Sequence, residues 1–474
     1  MRFRYRCCAC LLILVYSLSS YAQTLSTKIN KAYTAFEQNA QLKYGTLAFT
    51  VLNGNTGGVI FENRGRQGMA TASTLKTITS AMAFQVLGND YRYATRLHYS
   101  GTVDAQGVLH GHVVLVGSGD PTLGSDRYAM AKSNVLLDRW VAAIKKTGIR
   151  SVEGSVLADD GLFGKQEGPP RWVWQDMGSY YGAGISALNW MENKAALTFT
   201  VGSQVGDAAR LQSVTPDLSY LQFVNHVRTG GKGTGDKVYP YIAPYGSVVQ
   251  LEGTYGIDLK KTIEMAVPDA AYDVAFRLHD ALEKAGIRVS DAPATAFGWK
   301  QSGKPFPQVN KLLDEYHSPA LKDIVYWFNQ KSINLYGEAL LKTVAHVRGE
   351  DTETMTAAQW MASYWSDQLG FPKEELRIYD GSGLSPENRV TANAMAHILL
   401  AVKKEKWYKE YLESFPVYND MRMKSGTIDG VMGYAGYHTH SSGVPLVFVV
   451  LVNNYTGSGA TMRQQIFKLL DVLK

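Results

Sequence analysis

The chain has 474 residues, of which 45% are hydrophobic and 19% charged, enough for two or three domains with sizeable cores and too apolar for a disordered polymer. Its formal net charge is +6, and without basic clustering that gives no electrostatic case for a nucleic-acid partner. The three cysteines are Cys7, Cys8 and Cys10, so thiol nucleophiles, cysteine metal sites and disulfides are excluded from the rest of the chain.

The first stretch, "MRFRYRCCACLLILVYSLSSYAQ", sets Arg2, Arg4 and Arg6 before an apolar run from Cys7 to Tyr16 and then small residues. That layout predicts a secretory signal peptide over residues 1–22, cut after Ala22. The apolar run is short for a membrane span, so the expected membrane contact is at most peripheral. Loss of the three arginines lowers the formal charge from +6 to +3.

A leading helix is expected near residues 25–42. "LAFTVLNGNTGGVIFENRG" follows as a β-hairpin around the turn-forming "NGNTGG". The segment "TASTLKTITSAMAF", residues 71–84, then reads as a buried helix that nonetheless contains Lys76. From about residue 91 to 292 short strand patterns such as "GHVVLVGSG", "VEGSVLADD" and "GSVVQLEGTYG" alternate with glycine-rich turns. Helical character returns with "PALKDIVYWFNQKSINLYGEALLKTVAHV". Near the end, "GYAGYHTHSSGVPLVFVVLVNNY" forms a second hairpin before a helix from about Gly459. The expected fold is α+β: an antiparallel sheet flanked by helices, made from residues 23–90 and 293–474. The β-rich region 91–292, read as two nested modules, is inserted into it.

Three short motifs carry chemistry: "STLK" at Ser73–Lys76, "SIN" at Ser332–Asn334 and "KSGT" at Lys424–Thr427. Residues three apart share a helix face, so Lys76 reaches the Ser73 hydroxyl. A serine is a useful nucleophile when a base takes its proton, and a lysine is a base when burial or a second cation, such as Lys424, lowers its pKa. Ser332 is placed to relay a proton and Asn334 to hold Lys76 and a substrate amide. An edge strand at "KSGT" offers backbone to an extended peptide, and the N–H groups of Ser73 and Thr427 form an oxyanion hole. A second "KTG", at Lys146–Gly148, closes an amphipathic helix pattern and reads as a basic last turn.

The order Ser-x-x-Lys, Ser-x-Asn, Lys-Thr/Ser-Gly resembles that of the penicillin-recognising serine enzymes. The long gap between the first two motifs is similar to that of the penicillin-binding protein 4 type of D-alanyl-D-alanine carboxypeptidase/endopeptidase. "GSGDPTLG" at 117–124, "WVWQDMGSYYGAGISALNWMEN" from Trp172 and "YDGSGLSPENRVTA" from Tyr379 extend the resemblance over most of the chain. It implies a β-lactamase/transpeptidase-like catalytic domain, periplasmic location, no cofactor, peptidoglycan stem peptides as substrate and β-lactams as covalent inhibitors. By the same resemblance Ser73 is acylated, Lys76 is its base, and Ser332 with Asn334 completes the proton network. Lys424, Ser425, Gly426 and Thr427 bind the substrate carboxylate and line the oxyanion site. Asp159 and Phe163 match positions that approach the diaminopimelate side chain, with a plain surface turn as the alternative. Ser425 replaces the commoner threonine, and Pro386 stands where relatives often carry an arginine, leaving Arg389 as the candidate for that grip.

Competing readings are a serine β-lactamase or esterase of the same fold and a non-catalytic cell-wall binding protein. The first lacks a visible counterpart for a deacylating glutamate; the second sits poorly with three intact motifs. The paired histidines of "HGH" (110–112) and "HTH" (438–440) share a strand face as a metal pair would, but no carboxylate or third histidine is visibly paired with them, so no metal site is expected. The "YPYIAPYG" loop (239–246) reads as packing, and "GSGDPTLG" as a structural turn.

Overall fold

The apolar runs on either side of "NGNTGG" fold as the expected hairpin, strands β1 (Thr46–Asn53) and β2 (Val59–Asn63). In the computed structural model, which describes residues 24–164, 168–303 and 305–474, the chain forms two compact units. The expected signal segment, residues 1–22, lies outside the described residues.

The first unit takes residues up to Met82, then 329–332, then 358–474. Its sheet adds β3 (Val417–Tyr418), β4 (Met421–Ile428), β5 (Val431–Thr439) and β6 (Pro445–Asn453) in the order β2-β1-β6-β5-β4-β3. The pairing is antiparallel throughout, with Thr46 opposite Asn453 and Gly426 opposite Gly433. Central strands β1 and β6 are buried along nearly their whole length, as expected for strands covered on both faces. On one face lie helix α1 (residues 24–37) and, near the C-terminus, the helix Gly459–Leu470. Leu25, Ile29, Tyr33 and Phe36 from α1 and Met462, Ile466 and Leu469 from the other meet Phe49, Val51, Phe448 and Val450 there. Their spacing of three and four is one helical stripe, and each such anchor contributes about 1.5–3 kcal/mol by burial. The helix Ala392–Val402 packs on β1 and β6.

The second unit holds residues 83–328 and 333–357. Its larger sheet centres on the antiparallel pair Ala94–Val103 and Val108–Val116. Against it, the helices Ser133–Lys146 and Ala270–Lys284 bury Trp140, Ile144, Val274 and Leu278. Two smaller sheets, one around Lys194–Thr200 and one around Val248–Gly256, enclose a separate core containing Leu197, Phe199, Val249 and Leu251. The "KTG" decoy ends the helix Ser133–Lys146 with Lys145 and Lys146 in its last turn, where they complement the helix dipole. No helix among the described residues is long and apolar enough to cross a membrane.

Candidate active site

Ser73 stands on a 3-10 turn, Ala72–Leu75, and Lys76 opens the helix Lys76–Leu87 directly after it. The turn begins with Ala72 at φ +44°, a left-handed conformation that a non-glycine residue holds only when its surroundings fix it. The surroundings are two backbone segments. Gly383 of the "DGSG" loop lies so close to the Ala72 carbonyl that a Cβ there would come within 2.0 Å of it. Gly426 of β4 lies on the turn itself, where a Cβ would stand 2.6 Å from Thr74 N, 2.7 Å from Thr71 O and 2.8 Å from Ser73 N. The strand therefore seats the Ser73 backbone amide directly, which only glycine permits at that position.

Lys76 is fully buried. Its Nζ is 3.0 Å from Ser73 Oγ and donates a 2.6 Å hydrogen bond to the Ser382 carbonyl oxygen. Sequence reasoning missed that carbonyl. It is presented by a loop wound around Asp380, whose carboxylate accepts hydrogen bonds from the amides of Gly383 (2.8 Å) and Ser385 (2.7 Å) and from Asn388 Nδ2 (2.9 Å). Thr79 Oγ1, one turn beyond Lys76, donates to Gly381 O at 2.6 Å and ties the same loop to the helix. The available signal was "YDGSGLSPEN" itself, dense in the residues that build such turns.

Lys424 on β4 is buried as well. Its Nζ donates to Ser332 Oγ at 3.0 Å and to the Ser425 carbonyl at 2.8 Å. Burial, and after it the charge of Lys76, push the Lys424 pKa well below the ordinary lysine value. Ser332 sits at φ +57°, a second left-handed non-glycine residue at the site. From Lys424 onward β4 pairs with β5 on one side, while β3 reaches only Met421 and Arg422 on the other. Ser425, Gly426 and exposed Thr427 thus border a strand edge that has no strand partner among the described residues. A seryl hydroxyl against a buried amine, a second buried amine holding a second hydroxyl, and an open edge to pair with an extended chain are the parts of an acyl-transfer site.

In the second unit Asn334 begins the helix Asn334–Val347 and donates its Nδ2–H to the Tyr181 carbonyl at 2.8 Å. Asp159 ends the strand Val156–Asp159 and accepts from the Gly161 amide at 3.1 Å. Phe163 is buried, its ring against Gly119 and 6.0 Å from Lys342 Nζ. Its ring is packed inside the unit and not displayed on a surface turn.

One expectation needs correction. His110 has two carboxylate partners, Glu153 at 2.7 Å and Asp104 at 3.1 Å, which the sequence reading left it without. One lies six residues away and the other on a neighbouring parallel strand, a pairing that only the sheet register creates. The cluster does not have the arrangement of a metal site. Arg389 donates from Nη1 to the carbonyls of Pro386 (2.5 Å) and Asn388 (2.8 Å), so that nitrogen braces its own loop. The two turn readings stand: Asp120 of "GSGDPTLG" accepts from both N and Oγ1 of Thr122, and Tyr241 and Tyr245 of "YPYIAPYG" stack on Trp174 and Phe297.

The chain is similar in sequence to the D-alanyl-D-alanine carboxypeptidase of Actinomadura sp. (strain R39), at 26% identity over 91% of this chain and 82% of that one. It is also similar to D-alanyl-D-alanine carboxypeptidase DacB of Haemophilus influenzae, at 22% identity over 86% of each. In structure it resembles penicillin binding protein 4 (dacB) from Haemophilus influenzae with a TM-score of 0.76 at 22% identity, covering 92% of this chain and 97% of that one. A predatory peptidoglycan endopeptidase of Bdellovibrio bacteriovorus, Bd3459, shares the fold with a TM-score of 0.50 at 14% identity, covering 90% and 92%. The model of the D-Ala-D-Ala carboxypeptidase 3 (S13) family matches residues 29–473, nearly the whole described chain, and this protein belongs to that family.

Proposed function

We propose that the protein is a periplasmic serine D-Ala-D-Ala carboxypeptidase, also able to cut D-amino-acid cross-links, that works through an acyl-enzyme on Ser73. The observation that carries this reading is the 3.0 Å approach of Lys76 Nζ to Ser73 Oγ beside the 3.0 Å pair of Lys424 Nζ and Ser332 Oγ. The stem peptide adds to the free edge of β4, bringing its penultimate D-Ala carbonyl over the amides of Ser73 and Thr427. Ser73 Oγ attacks that carbon as its proton passes to neutral Lys76 Nζ, and the developing oxyanion is held by the two amides. Collapse breaks the C–N bond, and the terminal D-Ala nitrogen takes its proton through Ser332. Water then hydrolyses the ester and Ser73 is regenerated. Lys424 and the hydroxyls of Ser425 and Thr427 hold the substrate's carboxylate, Asn334 orients the amide, and Asp159 serves the third stem residue, with the buried Phe163 ring as packing near it. A β-lactam enters by the same attack, but its amine stays tethered to the acyl group. On this reading residues 1–22 are removed on export, and the mature chain found outside the cytoplasm begins at Gln23.

Intact-protein mass spectrometry with benzylpenicillin tests the assignment. Wild type gains one long-lived adduct, and Ser73→Ala gains none. An adduct in Ser73→Ala would sink the assignment of the nucleophile, and an adduct lost within seconds as drug is consumed would identify a β-lactamase instead.

A further inference from the structure

The second unit contains an open cleft of about 640 Å³ to which none of the three motifs contributes. Its wall carries Arg127, Glu192, Lys194, Glu264 and Trp327. Glu192 accepts from Arg127 at 2.7 Å, Lys194 bonds Glu264 at 2.8 Å and stands 3.7 Å from Glu192, and the Arg127 guanidinium lies 5.3 Å from the centre of the Trp327 ring. Opposite charges alternate along the wall, so an ion of either sign finds little net field to enter. A neutral polyhydroxyl ligand is different: its hydroxyls donate to carboxylates and accept from guanidinium and ammonium, while an aromatic face receives its C–H side.

The wall is held by unusual backbone. Met191, Glu192 and Asn193 are three consecutive non-glycine residues at φ +51°, +57° and +51°, a conformation that persists only where contacts over-determine it. The Trp190 amide donates to Asn193 Oδ1, and Asn193 Nδ2 donates to the Gly184 carbonyl and to Asn189 Oδ1. The turn aims Glu192 at Arg127 and at Ser125 Oγ (2.8 Å). Glu192 also accepts 3.0 Å from the hydroxyl of Tyr336, which lies on the helix that starts at Asn334. The cleft wall is thus joined by one hydrogen bond to the helix carrying the Asn334 side chain.

We propose that this cleft binds the saccharide part of the cell-wall polymer, an N-acetylated amino-sugar strand of about two residues, while the stem peptide is processed. The inference rests on the cell-wall reading above, and its test separates the two. The full mature chain is first acylated with benzylpenicillin, confirming the Ser73 reading by mass, and then titrated calorimetrically with N-acetylglucosamine tetrasaccharide, which carries no peptide. Trp327→Ala and Glu264→Gln are titrated alongside, with melting curves to check their fold.

Saturable binding to the acylated enzyme, weakened about tenfold or more in either folded variant, supports the proposal. Absence of saturable binding to an enzyme that does acylate overturns it and leaves the peptidase reading standing. Binding unchanged in both folded variants, or binding of a free stem peptide in this cleft without binding of the sugar, overturns it too. Sugar binding that is sensitive to these substitutions in a chain that fails to acylate keeps the cleft and removes the peptidase.

Discussion

Gly426→Ala reaches the Ser73 turn without altering the Ser73 or Lys76 side chain. The added Cβ would stand 2.6–2.8 Å from three backbone atoms of the Ser73 turn, whereas ordinary contact begins at 3.4 Å. None of the three can rotate away, so strand and turn must separate by about 0.6–0.8 Å, at the usual overpacking cost of about 1–3 kcal/mol. Lys76 is anchored independently on the Ser382 carbonyl and does not follow. The 3.0 Å Ser73–Lys76 approach then lengthens toward about 3.6 Å, where a hydrogen bond is lost. A displacement of that size in a reacting group lowers the rate by about 10- to 100-fold. The assay is the second-order rate of benzylpenicillin acylation, followed by intact mass, with a melting curve on the same sample. Wild-type acylation in a variant that melts within a degree of wild type would show that β4 does not position Ser73.

Two further outcomes follow from buried carboxylates. Asp380→Ala removes the acceptor for three donors, each costing about 1–3 kcal/mol when left unpaired; the melting temperature and the acylation rate both fall, and a loss of stability with an unchanged rate would separate the loop from Lys76. Asp160, buried with Asp269 and Asp159 nearby, has its pKa pushed up to about 7, by burial first. Its folded form binds the proton more tightly than the unfolded one, so its contribution to stability declines as pH rises from about 4 through about 7. Asp160→Asn, which cannot ionise, is expected to stabilise by about 2–4 kcal/mol at pH 8 and by less than half as much at pH 5; an equal effect on melting temperature at both pH values would refute the assignment.

What was legible in the sequence is what depends on near neighbours. The hairpin turn at "NGNTGG", the three-residue step from Ser73 to Lys76 and the basic end of the helix at Lys146 all rest on short-range periodicity and turn chemistry. The order of the motifs set Ser332 and Lys424 in one site, but their direct hydrogen bond, between residues 92 apart, had no local signal. The Ser382 carbonyl on Lys76 was not legible, because a backbone oxygen has no residue identity to read and its position depends on Asp380 folding the loop. The same holds for the left-handed Ala72 and Ser332, whose residue types give no hint of positive φ, and for His110, whose partner Glu153 is delivered by sheet register.

The sheet order has a consequence for the protein's biogenesis. Strand β1 is made long before its partner β6: Thr46 faces Asn453 and Asn53 faces Leu446. Until β6 is made β1 can pair only with β2, and its other edge stays open. Contacts so distant in sequence form slowly, and the Ser73 turn, which rests on β4, is completed only after β4 is made. A growing chain that has not yet reached β4 therefore carries Ser73 and Lys76 without the strand that seats them. For a peptidase, this order of assembly is itself a form of latency.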